Sequence, residues 1–304
     1  MPETSLAAWF ALAIILAVAI VADLGIFRRR SNDVPLRVAL AETAAWIGLS
    51  VAFGVWIFFS RGTRTGLEFF SAYVIEKALS VDNIFLFLII FRSFNVSTRA
   101  QHKVLYSGIV GALIFRALFV FGGIALLERF HFVMYAFGAL LVAVAIHMLF
   151  PRKDATEGGW LVRFVCKVCP PAESNGDARF FTRAGGRWRV TSLLLALVAV
   201  EVADIVFAVD SVPAVLAITR DPFIAYSSNA FAILGLRAMY FGIAGILPRF
   251  RYLHQALAGI LLFVGAKMLL SERLHMPEGV SLAVISGILA VAATASWLVS
   301  RPAG

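Results

Sequence analysis

Charged residues are scarce in this chain. Of its 304 residues only 15% are Asp, Glu, Lys or Arg, whereas 61% are apolar and 27 are Phe. Soluble globular domains carry about 25% charged residues, so this scarcity excludes an ordinary water-soluble domain. The composition predicts an all-α polytopic membrane protein, because helices satisfy their own backbone hydrogen bonds in lipid.

Cysteine is scarce as well, and the two that occur are Cys166 and Cys169. They form a Cys-x-x-Cys pair in a basic segment that we assign to the cytoplasm, where disulfides are not favoured. A structural zinc site would need a second pair of ligands, and the sequence has no second cysteine pair. Two interpretations stay open: incidental reduced thiols, or a redox or intermolecular metal role.

Nucleotide-binding motifs are also lacking, since the sequence contains no Gly-x-x-x-x-Gly-Lys-Ser/Thr. A transport function would therefore take its energy from a gradient or from a partner, not from a nucleotide bound at such a loop. Nothing in the sequence indicates an enzyme or a tightly bound cofactor.

Long apolar runs are abundant, and nine of them approach the roughly 20 residues that span hydrocarbon. They cover residues 6–26, 38–60, 67–91, 104–127, 131–150, 190–219, 224–247, 252–271 and 278–300. Most of the 27 Lys and Arg residues fall in alternate connections between these runs. The positive-inside rule therefore predicts an external N-terminus and a cytoplasmic C-terminus in a bacterial cytoplasmic membrane. The net charge of +9 is explained by this topology, and we expect no nucleic-acid partner.

Two apolar runs carry the same pattern of acidic residues. Glu76 and Asp82 lie six residues apart, and Asp204 and Asp210 repeat that spacing 128 positions later. The predicted topology takes these two runs across the membrane in opposite directions. The sequence therefore predicts two antiparallel copies of one site.

Further matches in the same order extend the duplication. Arg116 is answered by Arg237, and His147 by Lys267. We therefore divide one polytopic domain, residues 1–304, into a first three-helix repeat at 67–150, a basic cytoplasmic loop at 152–189 and an inverted second repeat at 190–271. Within the loop, residues 179–190 are predicted to form a hairpin around Gly185-Gly186. Inverted repeats are typical of transporters, although a duplication kept only for packing is the alternative.

Ionisable residues near the predicted midplane are costly and normally face a partner or a wet cavity. The acids are Glu76, Asp82, Glu201, Asp204 and Asp210, and the bases are Lys77, Arg116 and Arg237. Their formal charge of −2 is what one divalent cation would neutralise. One acid could instead be protonated, as proton coupling would require, or the acids could simply neutralise the bases in buried pairs.

The neutral donors beside these acids include the Asn83 amide and the Ser211 hydroxyl, with no Cys in any span and no His near the midplane. Hard oxygen donors suit Mg²⁺, Ca²⁺ or Mn²⁺, and the residues alone do not choose among them. Arg116 and Arg237 cannot lose their protons, so we interpret them as counter-ions or gates.

Some local features carry smaller predictions. Pro213 cannot donate to the carbonyl of Val209, so the sixth run is expected to be kinked or broken. Asp23 and Glu42 lie near the predicted cytoplasmic boundary and are expected to reach headgroup water. Asn229 is expected either to line an outer vestibule or to cap the seventh helix.

Four segments resemble one known family over nearly the whole chain. They are EKALSVDN at 76–83, DIVFAVDSVP at 204–213, DPF at 221–223 and FAILGLR at 231–237. These motifs resemble the TerC family of integral membrane proteins, and the long cytoplasmic loop is most similar to its Alx branch. The resemblance implies a fold like that of LysE-superfamily exporters, associations with tellurite resistance and alkaline stress, and a role in manganese export or supply.

The resemblance also implies an ion site at Glu76, Asp82, Asn83, Asp204, Asp210 and Ser211, with metal ligands at Glu76, Asp82, Asn83, Asp204 and Asp210. From its place among the midplane acids, Glu201 is added to the residues expected to bind and transport the ion. The bases Lys77, Arg116 and Arg237 are expected to balance charge or to act as gates. Our leading hypothesis is a secondary exporter of Mn²⁺ or another hard divalent cation, with protons as a candidate counter-ion. The alternatives are a membrane scaffold or stress-response protein whose basic loop recruits partners, and a redox modulator that uses Cys166 and Cys169.

Overall fold

The computed structural model describes residues 5–29, 35–150, 167, 180–184, 187–243, 252–271 and 276–299. Within these ranges the chain forms α-helices and a single two-stranded hairpin. The helices are α1 (Leu6–Arg29), α2 (Leu36–Arg61), α3 (Thr63–Ser93), α4 (Thr98–Arg129), α5 (Phe132–Leu149), α6 (Ser192–Leu216), α7 (Pro222–Leu234), α8 (Leu236–Ile243), α9 (Leu253–Leu269) and α10 (Glu278–Val299). Cys166 and Cys169 lie outside the described residues.

Six of the described helices are long and apolar enough to cross a membrane: α1, α2, α4, α5, α6 and α10. The helix α9 is apolar but shorter, and α3 carries Glu76, Lys77 and Asp82 within its length. Each of the nine predicted apolar runs overlaps at least one of the helices. The prediction of an all-α, multi-pass membrane protein is confirmed.

The helix α3 lies at the centre of the bundle, where it packs against α2, α6, α7 and α10. Large side chains such as Phe69, Ile75 and Phe87 are buried along it. In contrast, Phe10, Leu118 and Trp297 on other helices are at least 60% exposed. Apolar residues on the outside suit a lipid-facing surface, whereas the buried face of α3 lies in the interior of the bundle.

The helix α6 is continuous through Pro213, which lies within its last turn. Of the predicted kink or break at this proline, the break is therefore wrong, and the kink stays a prediction. A proline removes one backbone hydrogen bond, but near a helix end neighbouring turns can compensate. The helix continues until Ala217, whose N–H donates to the carbonyl of Pro213 at 3.0 Å.

The interruption occurs instead between α7 and α8, at Gly235. The Nζ of Lys77 donates to the freed carbonyl of Ala232 at 3.1 Å. A Cβ atom at Gly235 would stand 2.9 Å from that Nζ and 3.1 Å from Cβ of Trp46, so a larger residue would require both side chains to shift. Lys77 from α3 thus stabilises a break in the neighbouring helix.

The predicted hairpin is confirmed. Strands β1 (Phe181–Ala184) and β2 (Arg187–Val190) pair antiparallel, with Phe181 opposite Val190. The Thr191 hydroxyl donates to the carbonyl of Phe180 at 3.0 Å, and the Nζ of Lys103 lies 4.5 Å from the centre of the Phe180 ring. These contacts join the hairpin to the beginning of α4.

The N-terminus of α7 generates a stability prediction. Asp221 Oδ1 accepts from the N–H of Phe223 at 2.8 Å, while Oδ2 lies 3.4 Å from Arg61 Nη1. Asp221→Ala should lower the free energy of unfolding by about 1–2 kcal/mol, because an N-cap acceptor is lost. Asp221→Asn is the matched control, since it keeps that acceptor and should lose no more than about 1 kcal/mol with the ion pair. Denaturant unfolding in detergent measures both, and equal losses would contradict the capping role.

Candidate functional site

A fully buried carboxylate organises the centre of the bundle. Glu76, in the middle of α3, is 0% exposed. Its Oε2 accepts from Arg116 Nη1 at 2.6 Å, and its Oε1 accepts from Asn229 Nδ2 at 2.9 Å. Arg116 Nη1 also donates to Ser211 Oγ at 2.8 Å. We call these four residues, which come from α3, α4, α6 and α7, the Glu76 cluster.

Helical periodicity explains why Glu76 points inward. Ser80 and Asn83, four and seven residues later, share its face of α3 and are also buried. On α7, the hydroxyls of Ser227 and Ser228 donate to carbonyls of their own helix. Asn229 is the residue of this polar triplet that reaches across to α3.

Asp204 of α6 lies beside a small cavity. The cavity is lined by Asp204, Gly108, Arg237 and apolar side chains from α3, α4, α7 and α8. Asp204 is only 6% exposed, and Arg116 is close enough to interact with it electrostatically. Among the residues that the structure describes, no basic side chain forms an ion pair with Asp204.

Glu201 lies one helical turn before Asp204, and its carboxylate rests against the backbone of α4. A Cβ atom at Gly111 would overlap that carboxylate, so glycine makes room for it. The Oε2 of Glu201 is buried and has no hydrogen-bond partner in the described part of the chain. This places a second carboxylate next to Asp204 without a compensating base.

The other two predicted acidic ligands, Asp210 and Asp82, differ from each other in their surroundings. Asp210 is half-buried and interacts electrostatically with Arg116 and Glu76. Asp82 turns toward α9, where its Oδ1 lies 3.6 Å from Nδ1 of His254. Asp82 therefore does not share the surroundings of Glu76, as the angular offset of six residues along a helix would suggest.

The structure does not bring the five predicted metal ligands to one point. Within the described ranges, no three His, Cys, Asp or Glu side chains form a group able to hold a metal ion. Asn83 is buried on α3, but Asp82 is turned toward His254, and Glu76 is bound by Arg116. The guanidinium of Arg116 thus occupies one side of a carboxylate that the sequence predicted as a metal ligand.

Arg237 does not balance the midplane acids as predicted. Its Nε and Nη2 donate to both carboxylate oxygens of Asp23 at 2.9 and 2.6 Å, and Glu42 lies 3.7 Å away. Asp23 is 4% exposed, so the expectation that it reaches headgroup water is wrong. The reason is that the short helix α8 carries Arg237 to α1, and a bidentate pair can compensate a buried carboxylate.

Lys77 likewise has no acid as its ion-pair partner among the described residues, because its ammonium binds the carbonyl of Ala232. Arg116 is the one predicted counter-ion that contacts a predicted ligand. Sequence reasoning also missed Asn229 and Asp23 as partners of these bases and acids. Two sequence signals could have indicated them. Asn229 lies between two of the motifs that resemble the family, and Asp23 is an acid inside an apolar run.

The chain matches the family described as "Integral membrane protein TerC family" over residues 61–303. An uncharacterized membrane protein of Myxococcus xanthus, STKORF319, is 43% identical over 283 residues, which cover 92% of this chain and 89% of its own. Alx of Escherichia coli (strain K12), whose name provisionally describes a membrane-bound redox modulator, is 38% identical over 292 residues, or 92% and 91% of the two chains. An uncharacterized membrane protein of Rickettsia bellii (strain RML369-C) is 34% identical over 290 residues, or 95% and 96%. No solved structure matches this chain significantly.

The Glu76 cluster generates a prediction about stability. Arg116→Met should lower the free energy of unfolding by about 3–5 kcal/mol, because it leaves a buried carboxylate without its counter-ion. Adding Glu76→Gln removes that charge, so the double variant should recover most of the loss. Unfolding of both variants in detergent measures the difference. A double variant no more stable than Arg116→Met alone would contradict the pairing.

Proposed function

This chain belongs to the TerC family of integral membrane proteins, and on that premise we propose that it is a secondary transporter that exports Mn²⁺ across the cytoplasmic membrane. One observation carries the proposal. In the described core, the carboxylates of Glu201, Asp204 and Asp210 lie near the Glu76 cluster without a basic ion-pair partner. Carboxylates at bilayer depth normally face a partner or a wet cavity, and a transported cation supplies the missing positive charge.

The ion is assigned from two sources. Carboxylate, amide and hydroxyl oxygens suit a hard divalent cation such as Mg²⁺, Ca²⁺ or Mn²⁺. The choice of Mn²⁺ comes from the family resemblance. Carboxylates that release the cation can take up protons, so we propose that protons are the exchanged ions and that their gradient drives export.

The proposed architecture has nine spans, with α7 and α8 together forming one and α3 and α9 added to the six apolar helices. Residues 67–150 and 190–271 form the inverted repeats of a LysE-like fold, separated by the loop at 152–189, with the N-terminus outside. The packing supports this duplication. In this duplication α3, α4 and α5 correspond to α6, α7 and α9. The contact of α4 with α6 then corresponds to that of α7 with α3, and the contact of α5 with α6 corresponds to that of α9 with α3.

The two repeats differ in the partner of their arginine, and this difference suggests the transport mechanism. In the first repeat Arg116 binds Glu76. In the second, the equivalent Arg237 binds Asp23, and the small cavity lies beside Asp204. In a transporter with inverted repeats, each repeat adopts in the opposite state the conformation that the other repeat has in this one. The opposite state therefore has Arg237 on Asp204 and Arg116 released from Glu76.

Mn²⁺ flux into proteoliposomes across a pH gradient tests the proposal. Asp204→Asn and Asp210→Asn should each lower flux by at least about tenfold, because residues that support a metal site are worth about 10–100-fold in affinity. Glu128→Gln is the matched control, since Glu128 is an exposed acid at the end of α4 and should transport like the wild type. Equal reconstitution and equal unfolding temperatures are required of all variants. An inactive but folded wild type, or unchanged flux in both Asn variants, would contradict export through these acids.

A redox role is the second candidate, favoured by the name that the Alx relatives carry. In this chain it would use Cys166 and Cys169, which lie outside the described residues. If transport is the function, the double variant Cys166→Ser/Cys169→Ser should keep wild-type Mn²⁺ flux, because neither thiol belongs to the proposed ion site. Loss of flux in this variant, reproduced in wild type by a thiol oxidant, would support the redox role instead.

A further inference from the structure

The amide oxygen of Asn229 is an unpaired acceptor in the centre of the bundle. Asn229 is 0% exposed, and within the described residues its Oδ1 has no hydrogen-bond partner. A buried polar atom without a partner is costly and is uncommon in native proteins. The neighbouring hydroxyl of Ser228 is equally buried but is satisfied by the carbonyl of Ala225 at 3.2 Å.

The orientation of this amide follows from its surroundings. Asn229 Nδ2 donates to Glu76 Oε1 at 2.9 Å. Turning the amide over would bring its oxygen against a carboxylate oxygen, which repels it. The contact with Glu76 therefore forces Oδ1 away from the carboxylate, to a position where the described chain offers it no donor.

We propose that Asn229 Oδ1 is a ligand of the transported cation, so that Asn229 both orients Glu76 through Nδ2 and binds the ion through Oδ1. This inference rests on the proposed transport function. A hard divalent cation fits the observation because it satisfies an amide oxygen without needing a donor hydrogen. When Arg116 leaves Glu76, Oε2 is freed, and Glu76 and Asn229 present one charged and one neutral oxygen from α3 and α7.

The combination of ligands would also influence release. Two carboxylates bind a divalent cation more strongly than one carboxylate with an amide, because the second charge adds Coulomb attraction. A neutral oxygen at this position keeps affinity moderate, which transport requires since the ion must leave again. Asn229 is thus expected to limit affinity as well as to provide it.

Mn²⁺ binding to the purified full-length protein, followed by electron paramagnetic resonance, separates the two roles of the amide. Asn229→Asp keeps Oδ1 but loses the Nδ2 donor, whereas Asn229→Leu loses both. We expect Asn229→Asp to bind Mn²⁺ at least as tightly as the wild type at pH 8, and Asn229→Leu to bind at least about tenfold more weakly. Ser228→Ala is the matched control and should bind like the wild type.

Equal weakening in the Asp and Leu variants would overturn the inference, because it would assign the whole effect to the Nδ2 contact with Glu76. Unchanged binding in Asn229→Leu would overturn it as well and would leave a trapped water as the partner of Oδ1. If the Leu variant does not fold, the Asp variant decides alone, with retained binding expected and lost binding contradictory. If wild type binds no Mn²⁺, the proposed function fails too. If the wild type binds Mn²⁺ and Asp204→Asn does not, the proposed function is supported. A failed prediction for the Asn229 variants then counts against the role of Asn229 alone.

Discussion

The ion pair between Glu76 and Arg116 is the interaction on which the rest of this structure depends. A bare carboxylate in the middle of a membrane bundle is unfavourable, so α4 must bring a guanidinium to it, and α6 and α7 must complete its hydrogen bonds. These requirements explain why α3, which carries Glu76, packs against four other helices at the centre of the bundle. They also explain why residues from four helices meet at one point, since each lone pair left unsatisfied there would cost stability.

The proposed function depends on the acids that this ion pair leaves without a positive partner. The second buried arginine, Arg237, is bound by Asp23, which removes it from the acids that the duplication would assign to it. Asp204 and Glu201 are left with a cavity and a glycine-lined backbone as neighbours. A protein selected only for a stable bundle would have little reason to keep such groups, because well-packed apolar residues are often as stable or more so. The proposed transport of a cation would account for both the compensated and the uncompensated acids.

The sequence predicted what depends on local pattern and missed what depends on distant contacts. Hydropathy located the helices because span length follows from bilayer thickness, and periodicity put Glu76 on a buried face and Asp82 on another. The partners of the charges were less accessible: Asp23 and Arg237 are 214 positions apart, and nothing local joins them. Pro213 removes one hydrogen bond without breaking α6, whereas the break at Gly235 lies beside Lys77 and Trp46, which are distant in the sequence. The sequence places Asn229 near the start of an apolar run, which suggests a vestibule or a cap, whereas the structure places it in the middle of α7.

The central claim is that a divalent cation binds Glu76 or Asp204, whichever of the two acids is not paired with the arginine of its repeat. The most direct measurement is the anomalous X-ray signal of Mn²⁺ in crystals of the wild-type protein grown with that ion. We predict a peak in the membrane core, within ligand distance of Glu76 or Asp204, with the arginine of that repeat turned away from the acid. A core without any such peak at saturating Mn²⁺, with Arg116 still bound to Glu76, would contradict it.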